Sequence, residues 1–409
     1  MDSSSIGETI DSLDSVLRDI NKKILDDPEL GLQEFHAHDN IVALLRERNH
    51  NVTEHAYGID TSFQAEYGSG GRVVTFNAEY DALPDIGHAC GHNLIATASI
   101  AAYLAVAAAL KASGLPGRVR LLGTPAEENA AGKAMLVAAG AYDDVDACIM
   151  LHPGSRSRHA GKAGTSFART LATERIRVRF TGRSAHASMY PFNGLNALDA
   201  STLMYTAVSM LRQQIRPYER IHGVIDQGGK VPNVIPDMTE MTYFIRSWTL
   251  AEAKALRERV ERCVEGTAIA TGCGWEVEDL GHYADLRPNK TICSLWAQAM
   301  EELGSPVNCD FDSQAPGMGS TDMGNVSYVC PGFHGYFGIP TEEGANNHTA
   351  GFTKWAGMPK AHDMAIKSAK GIAIVGWRIL ESEEISRAIW KNFAEDEATG
   401  RRVDLKKKC

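Results

Sequence analysis

Residues 94–114, LIATASIAAYLAVAAALKASG, carry a single charge, at Lys111, and no other stretch limits the possible folds as sharply. The run approaches the length that crosses a bilayer. Its alanine richness, with Thr97, Ser99 and Tyr103 interspersed, favours a helix buried in a protein core. Such a helix needs a sheet or other helices to cover it, and the flanking sequence supplies them. RVVTFNAEY (72–80) is dense in β-branched and aromatic residues, GRVRLLGTP (117–125) and VDACIMLHP (145–153) read as buried strands, and GKAMLVAAGAY reads as a helix between them. SFQAEYG is a further strand, and the apolar spacing of Ile10, Leu13, Val16, Leu17 and Ile20 makes the opening, to about Arg48, an amphipathic helix. Strands that alternate with helices imply an α/β fold with a mostly parallel sheet covered on both faces.

The pattern changes near Ala172. ATERIRVRFTG (172–182), a helix over 193–215, the strands IHGVIDQGG and MTEMTYFIRSW, a charged helix over 250–272 and the strand GWEVEDLG (274–281) give the order βαββαβ, a ferredoxin-like unit. Residues 172–285 therefore form an inserted domain. Residues 1–171 and 286–409 form the other, discontinuous one, closed by the short strand GYFGI and the helix AKGIAIVGWRILES. Two chain crossings at one boundary suit a hinge.

Composition narrows the function. With 409 residues the chain is long enough for two cores, and 41 basic against 51 acidic residues give a net charge of −10, which offers nucleic acid no electrostatic footprint. The eight cysteines show no dense spacing, as expected of reduced thiols in a cytoplasmic protein. The first residues, MDSSSIGETIDSLDSVL, lack the basic and apolar regions of a secretory signal. The tail DLKKKC has its cysteine last, three places too late for prenylation, and is expected to be solvated. No membrane partner is expected.

Ligands of open α/β sheets bind beyond the carboxyl ends of the strands. At those ends stand Asp81 and the cluster HACGH after the first strand, Glu127 and Glu128 after the second, His152 after the third, and His348 in NNHTAGF after the last. Cys90, His92, Glu128, His152 and His348 make five donors, whereas a catalytic zinc uses three and leaves a place for water. Five therefore suggest two divalent ions sharing a bridging thiolate or carboxylate. Zinc suits the mixed sulfur, nitrogen and oxygen donors, with manganese, cobalt or nickel as alternatives. Glu127, beside the ligand Glu128, is the candidate general base for a metal-activated water. Asp81 reads as an outer carboxylate steadying an imidazole or as a turn residue, and His88 as part of the turn that presents Cys90.

AEYDALPDIGHACGHNLIA, TPAEENAAGK, LHPG, GRSAHASMYPFNGLNALDA, VPNVIP, GSTDMGNVS and NNHTAGF together resemble the dinuclear metallopeptidase and amidohydrolase family of aminoacylase, glutamate carboxypeptidase, hippurate hydrolase and the indole-acetyl-amino-acid hydrolases. The first of these motifs is most similar to the β-alanyl-dipeptide-hydrolase-like, or aminoacylase-1-like, branch. The resemblance implies a metal-binding catalytic domain interrupted by a ferredoxin-like lid that dimerises. It also implies the same five ligands and Glu127 as base, with His186 reaching the scissile carbonyl of the other subunit. Asn233 matches a polar substrate contact, and Arg246 a clamp on a substrate carboxylate. Asn93 stands where hippurate-hydrolase-like members usually carry Asp, an Asn that the β-alanyl-dipeptide branch shares, and Asn129 and Ala131 stand where relatives often show an acid and a glycine; these changes leave the ligand set intact and are expected to reshape the pocket.

The expected activity is hydrolysis of an amide in a small dipeptide or N-acyl amino acid. An amide-forming or acyl-exchanging enzyme would use the same metal site. A cysteine hydrolase with Cys90 as nucleophile would leave both glutamates and two histidines unexplained, and a binding protein without activity would have no use for Glu127.

Overall fold

The computed structural model describes residues 3–312 and 319–399. The basic tail lies outside the described residues. Two compact units are present: one runs to Arg169 and resumes at Leu286, and the other is Thr170–Asp285, joined by Gly319 and Ser320.

Among the described residues the strands are β1 (Asn51–Glu54), β2 (Phe63–Ser69), β3 (Arg72–Ala78), β4 (Gly117–Gly123), β5 (Ala147–Ser155), β6 (Gly164–Thr165), β7 (Ala172–Thr181), β8 (Arg220–Gln227), β9 (Met238–Ser247), β10 (Gly274–Tyr283) and β11 (Gly332–Ile339). The first unit holds a sheet of order β1-β2-β4-β3-β5-β11-β6. Its centre is parallel, through the pairs β3 with β4, β3 with β5 and β5 with β11. The edges β1, β2 and β6 pair antiparallel. The parallel strands are near-continuous apolar runs because both of their faces are covered.

The alanine-rich stretch is the helix His92–Ser113, in which every residue from His92 to Ala107 is buried. It is the one described helix long and apolar enough to cross a membrane, and 94% of that apolar window is covered by protein. Its small side chains let the helices Asp14–Asp26 and Pro359–Glu381 lie close on either side, and Gly114 in left-handed conformation ends it. The opening is not one helix but three, Ser3–Ser12, Asp14–Asp26 and Phe35–Glu47. The chain turns at Leu13 and again after Asp26, where Pro28 can donate no backbone hydrogen bond. The strand expected to stop at Pro153 continues to Ser155, because β11 runs beside it in register as far as Ile339. His152 is therefore inside β5, near its carboxyl end.

The second unit has the expected βαββαβ order, with helices Ala197–Met210 and Leu250–Thr271 and an antiparallel sheet β10-β7-β9-β8. Burial along β9 alternates at every residue. Ile176, Val178, Phe180, Met241, Tyr243 and Ile245 form the core of this unit. Arg175, Arg177, Phe244 and Arg246 take the intervening positions, so they face away from that core. Thr249 caps the second helix by accepting the Glu252 N–H at 3.2 Å.

Candidate metal centre

All of the expected donors of the first unit meet at the carboxyl end of its sheet. Cys90 Sγ lies 3.3 Å from His152 Nε2 and 3.5 Å from His348 Nε2. Glu128 Oε1 stands 3.4 Å from His348 Nε2 and 3.9 Å from His92 Nε2. Donor atoms of Cys90, His92 and His152 lie within 4.8 Å of one another, as do those of Cys90, Glu128 and His348, and those of His92, Glu127 and Glu128.

The backbone explains how such distant residues converge. Gly91, between Cys90 and His92, has φ +78°, and a Cβ there would come 2.5 Å from Pro153 Cγ. Only glycine lets the loop turn into the helix at that point while passing so close to β5. Ala126 and Ala131, which bracket the glutamate pair, also have positive φ, as does His348. Three non-glycine residues in that region around one cluster mark backbone held by its surroundings rather than by local preference. For Ala126 the holder is visible: its N–H donates to Glu34 Oε1 at 2.7 Å, and Glu34 Oε2 accepts from Thr61 at 2.9 Å.

The imidazoles are set in one tautomer each. His92 Nδ1 bonds Asp81 Oδ1 at 3.0 Å, and His152 Nδ1 donates to the Pro153 carbonyl at 2.8 Å. Each is left with its Nε2 lone pair turned into the cluster. Asp81 uses its second oxygen to accept the Glu128 N–H at 3.0 Å, so one carboxylate positions two neighbours. His88 turns away, with Nε2 on the Ile24 carbonyl at 2.9 Å.

The electrostatics invite cations. Burial opposes charge on His92, but Asp81, Cys90 and Glu79 outweigh it and raise its affinity for a proton. Burial, ahead of Glu128, pushes the Cys90 thiol well up, which disfavours a free nucleophilic thiolate. Burial, followed by Glu128, Glu79 and Asp322, pushes the Glu127 carboxyl well above the usual carboxylate range. Among the described residues, Glu79 Oε2, His92 Nε2 and Glu128 Oε1 are buried atoms without a hydrogen-bond partner. Lone pairs of sulfur, nitrogen and oxygen facing each other out of water fit divalent metal ions.

The sequence profile of Peptidase family M20/M25/M40 matches residues 75–369. The chain belongs to that family. It is a hydrolase of linear amides. It is 37% identical to the Xaa-Arg dipeptidase of Mus musculus, over 94% of this chain and 90% of that protein. It is 34% identical to one of the p-aminobenzoyl-glutamate hydrolase proteins of Escherichia coli (strain K12), over 70% of this chain and 62% of the relative. The solved structure of a dinuclear metal binding peptidase of the M20 family from Bacillus subtilis superposes with a TM-score of 0.64 at 21% identity, covering 91% of this chain and 99% of that one, a likeness of fold.

The other three residues singled out in the sequence belong to the second unit. His186 is exposed, and its Nδ1 accepts the N–H groups of Ser188 and Met189 at 3.3 and 3.2 Å, which puts the ring proton on Nε2. The Asn233 carbonyl accepts the Ala187 N–H at 3.1 Å, tying it to the His186 segment. Arg246 Nη1 donates to Ser320 at 2.9 Å and Nε to His222 at 3.3 Å, and among the described residues it forms no ion pair. Burial lowers its pKa from the ordinary value.

Sequence reading missed Glu79, Lys133 and Asp322. Lys133 Nζ bonds Glu79 Oε1 at 2.5 Å and Asp322 Oδ1 at 2.7 Å, with all three side chains fully buried. Carboxylate oxygens of Glu79, Glu127 and Asp322 lie within 4.8 Å of one another. Burial pushes the Glu79 carboxyl up, but Lys133, ahead of His92, holds it below its ordinary value. The available signal was the strand-end spacing of Glu79, two places before Asp81 and therefore on the same side of an extended chain.

Proposed function

We propose that this enzyme hydrolyses the amide bond of a small dipeptide or N-acyl amino acid bearing a free carboxylate, with Cys90, His92, Glu128, His152 and His348 holding two divalent ions, zinc first among them. The observation that carries the reading is the presence of Glu127 within the same 4.8 Å donor group as His92 and Glu128. When bound, the ions would supply an acidified water and an electrophile for the substrate carbonyl.

Glu127, which would be ionised once positive charge in the cluster offsets burial and its carboxylate neighbours, takes a proton from the attacking water and returns it to the departing nitrogen. Asp81 keeps His92 in the Nδ1–H tautomer and holds the Glu128 backbone, so neither has to reorganise during the reaction. His186, its Nδ1 occupied by backbone donors, offers Nε2–H to the oxygen that gains charge. Arg246, which has no carboxylate partner among the described residues, receives the substrate's carboxylate, and Asn233 contributes a polar contact. The relatives' names, Xaa-Arg dipeptidase, p-aminobenzoyl-glutamate hydrolase and N-acetyl-L-cysteine deacetylase, each describe an amino acid released from an amide, which supports this substrate class.

The second unit serves as lid and homodimer interface in this reading. Supporting it, β8 is a sheet edge with Val224 59% exposed, and Met210 at the end of the adjoining helix is 67% exposed. The seven described cysteines are free thiols, in keeping with a reducing cytoplasm. The decisive experiment combines elemental analysis of the purified protein with a screen of dipeptides and N-acyl amino acids before and after chelation. Hydrolysis lost on chelation and restored by metal is expected; full activity after exhaustive chelation contradicts it.

A further inference from the structure

The mechanism above leaves Glu79 without a task, although it is fully buried beside the reacting groups. Its Oε1 is committed to Lys133, whose Nζ and backbone N–H are both tied to Asp322, at 2.7 and 2.8 Å. Two carboxylates around one ammonium leave negative charge in excess, in a place where unbalanced charge is costly. That excess faces the cluster. Among the described residues Glu79 Oε2 has no hydrogen-bond partner; it lies 3.4 Å from His92 Nε2, which has none there either.

With His92 Nδ1 engaged by Asp81, its Nε2 and the Glu79 oxygen need a cation between them in a dry interior, either a proton on Nε2 or a metal ion in its place. Two donors each ~2.1 Å from one ion at a tetrahedral angle stand ~3.4 Å apart. Two of the expected ligand pairs have that spacing, 3.3 Å from Cys90 to His152 and 3.4 Å from His348 to Glu128, while His92 and Glu128 stand 3.9 Å apart.

We propose that Glu79 is a further ligand of the metal centre, binding through Oε2 the ion that His92 holds, with Lys133 and Asp322 fixing its orientation. The proposal rests on reading the cluster as a metal site. Lys133 is then a positioning residue: it neutralises part of the added charge and keeps the carboxylate from rotating. Asp322, held by Lys133 through both the side chain and the backbone, anchors the ammonium from the far side.

A crystal structure of the zinc-loaded wild-type enzyme tests this directly. The expected result is Glu79 Oε2 within about 2.2 Å of an ion. Ions held by Cys90, His92, Glu128, His152 and His348 with Glu79 Oε2 beyond about 3 Å would overturn the ligation and leave the metal site standing. No ion in the cluster would overturn both. In solution, cobalt-loaded Glu79→Ala and the isosteric Glu79→Gln should lose roughly 100-fold or more in affinity for one of the two ions, with altered ligand-field absorption, a larger effect than removal of an outer partner gives. Unchanged affinity, or a weaker site whose absorption bands are unaltered, would count against Glu79 as a ligand.

Discussion

Asp81 joins His92 to Glu128: one carboxylate oxygen bonds the imidazole Nδ1 and the other accepts the glutamate's backbone N–H, each at 3.0 Å. Replacing it by asparagine puts an amide N–H against one of those two donors. Asp81→Asn should therefore weaken metal binding by about 10–100-fold while the fold persists. Competition with a chromogenic chelator measures this, and an unaltered affinity would show that the carboxylate has no part in ordering the ligands.

Glu127 shares its donor group with His92 and Glu128. If it moves the proton, Glu127→Gln should lower kcat by about 10²–10⁴-fold or more with little change in metal content. Kinetics and elemental analysis on the same preparation decide the matter. A variant with normal turnover would remove Glu127 from the reaction.

Arg246 has Ser320 and His222 for hydrogen-bond partners and no acid paired with it among the described residues. Losing a charged hydrogen bond to a ligand costs about 1.5–3 kcal/mol. Arg246→Ala should accordingly raise KM by roughly 10–100-fold for substrates with a free carboxylate. Substrates capped as amides should be affected far less. Equal effects on both would place the carboxylate elsewhere.

Glu34 supplies a pH dependence. Burial, then the nearby Asp81 charge, raises its pKa from 4.5 to about 7. The folded protein therefore binds a proton on Glu34 more tightly than the unfolded chain does. The stability gained this way is fully present below pH 4.5 and is lost as the pH rises through 7. Glu34→Gln, which is neutral at every pH, should gain on the wild type across that window by a few kcal/mol and run parallel to it above. Urea midpoints taken from pH 4.5 to 8 check this, and a constant difference between the two proteins would contradict it.

The structure shows how unevenly these features could be read in advance. The convergence of Cys90, His92, Glu128, His152 and His348 was legible because each closes a strand or lies in the segment that follows one, and the strands announce themselves through runs of apolar and β-branched residues. The opening was not legible in detail: its apolar spacing runs on past the turn at Leu13, and only the packing of three short helices against the core shows the breaks. The four-residue strand β1 was too short to carry a pattern, and its place at the sheet edge depends on pairing with β2.

The sequence alone determined most of the strands and helices of the two units and which chemical groups follow them, because periodicity and residue type act within a few neighbours. Tertiary structure decided which atoms face one another. Lys133 meets Asp322 across 189 positions of chain, and the unpartnered oxygen of Glu79 turns to His92 only because that ammonium holds the other oxygen. No local pattern encodes such a pairing: it follows from the parallel order of β4, β3, β5 and β11, which brings loops distant in sequence to one end of one sheet.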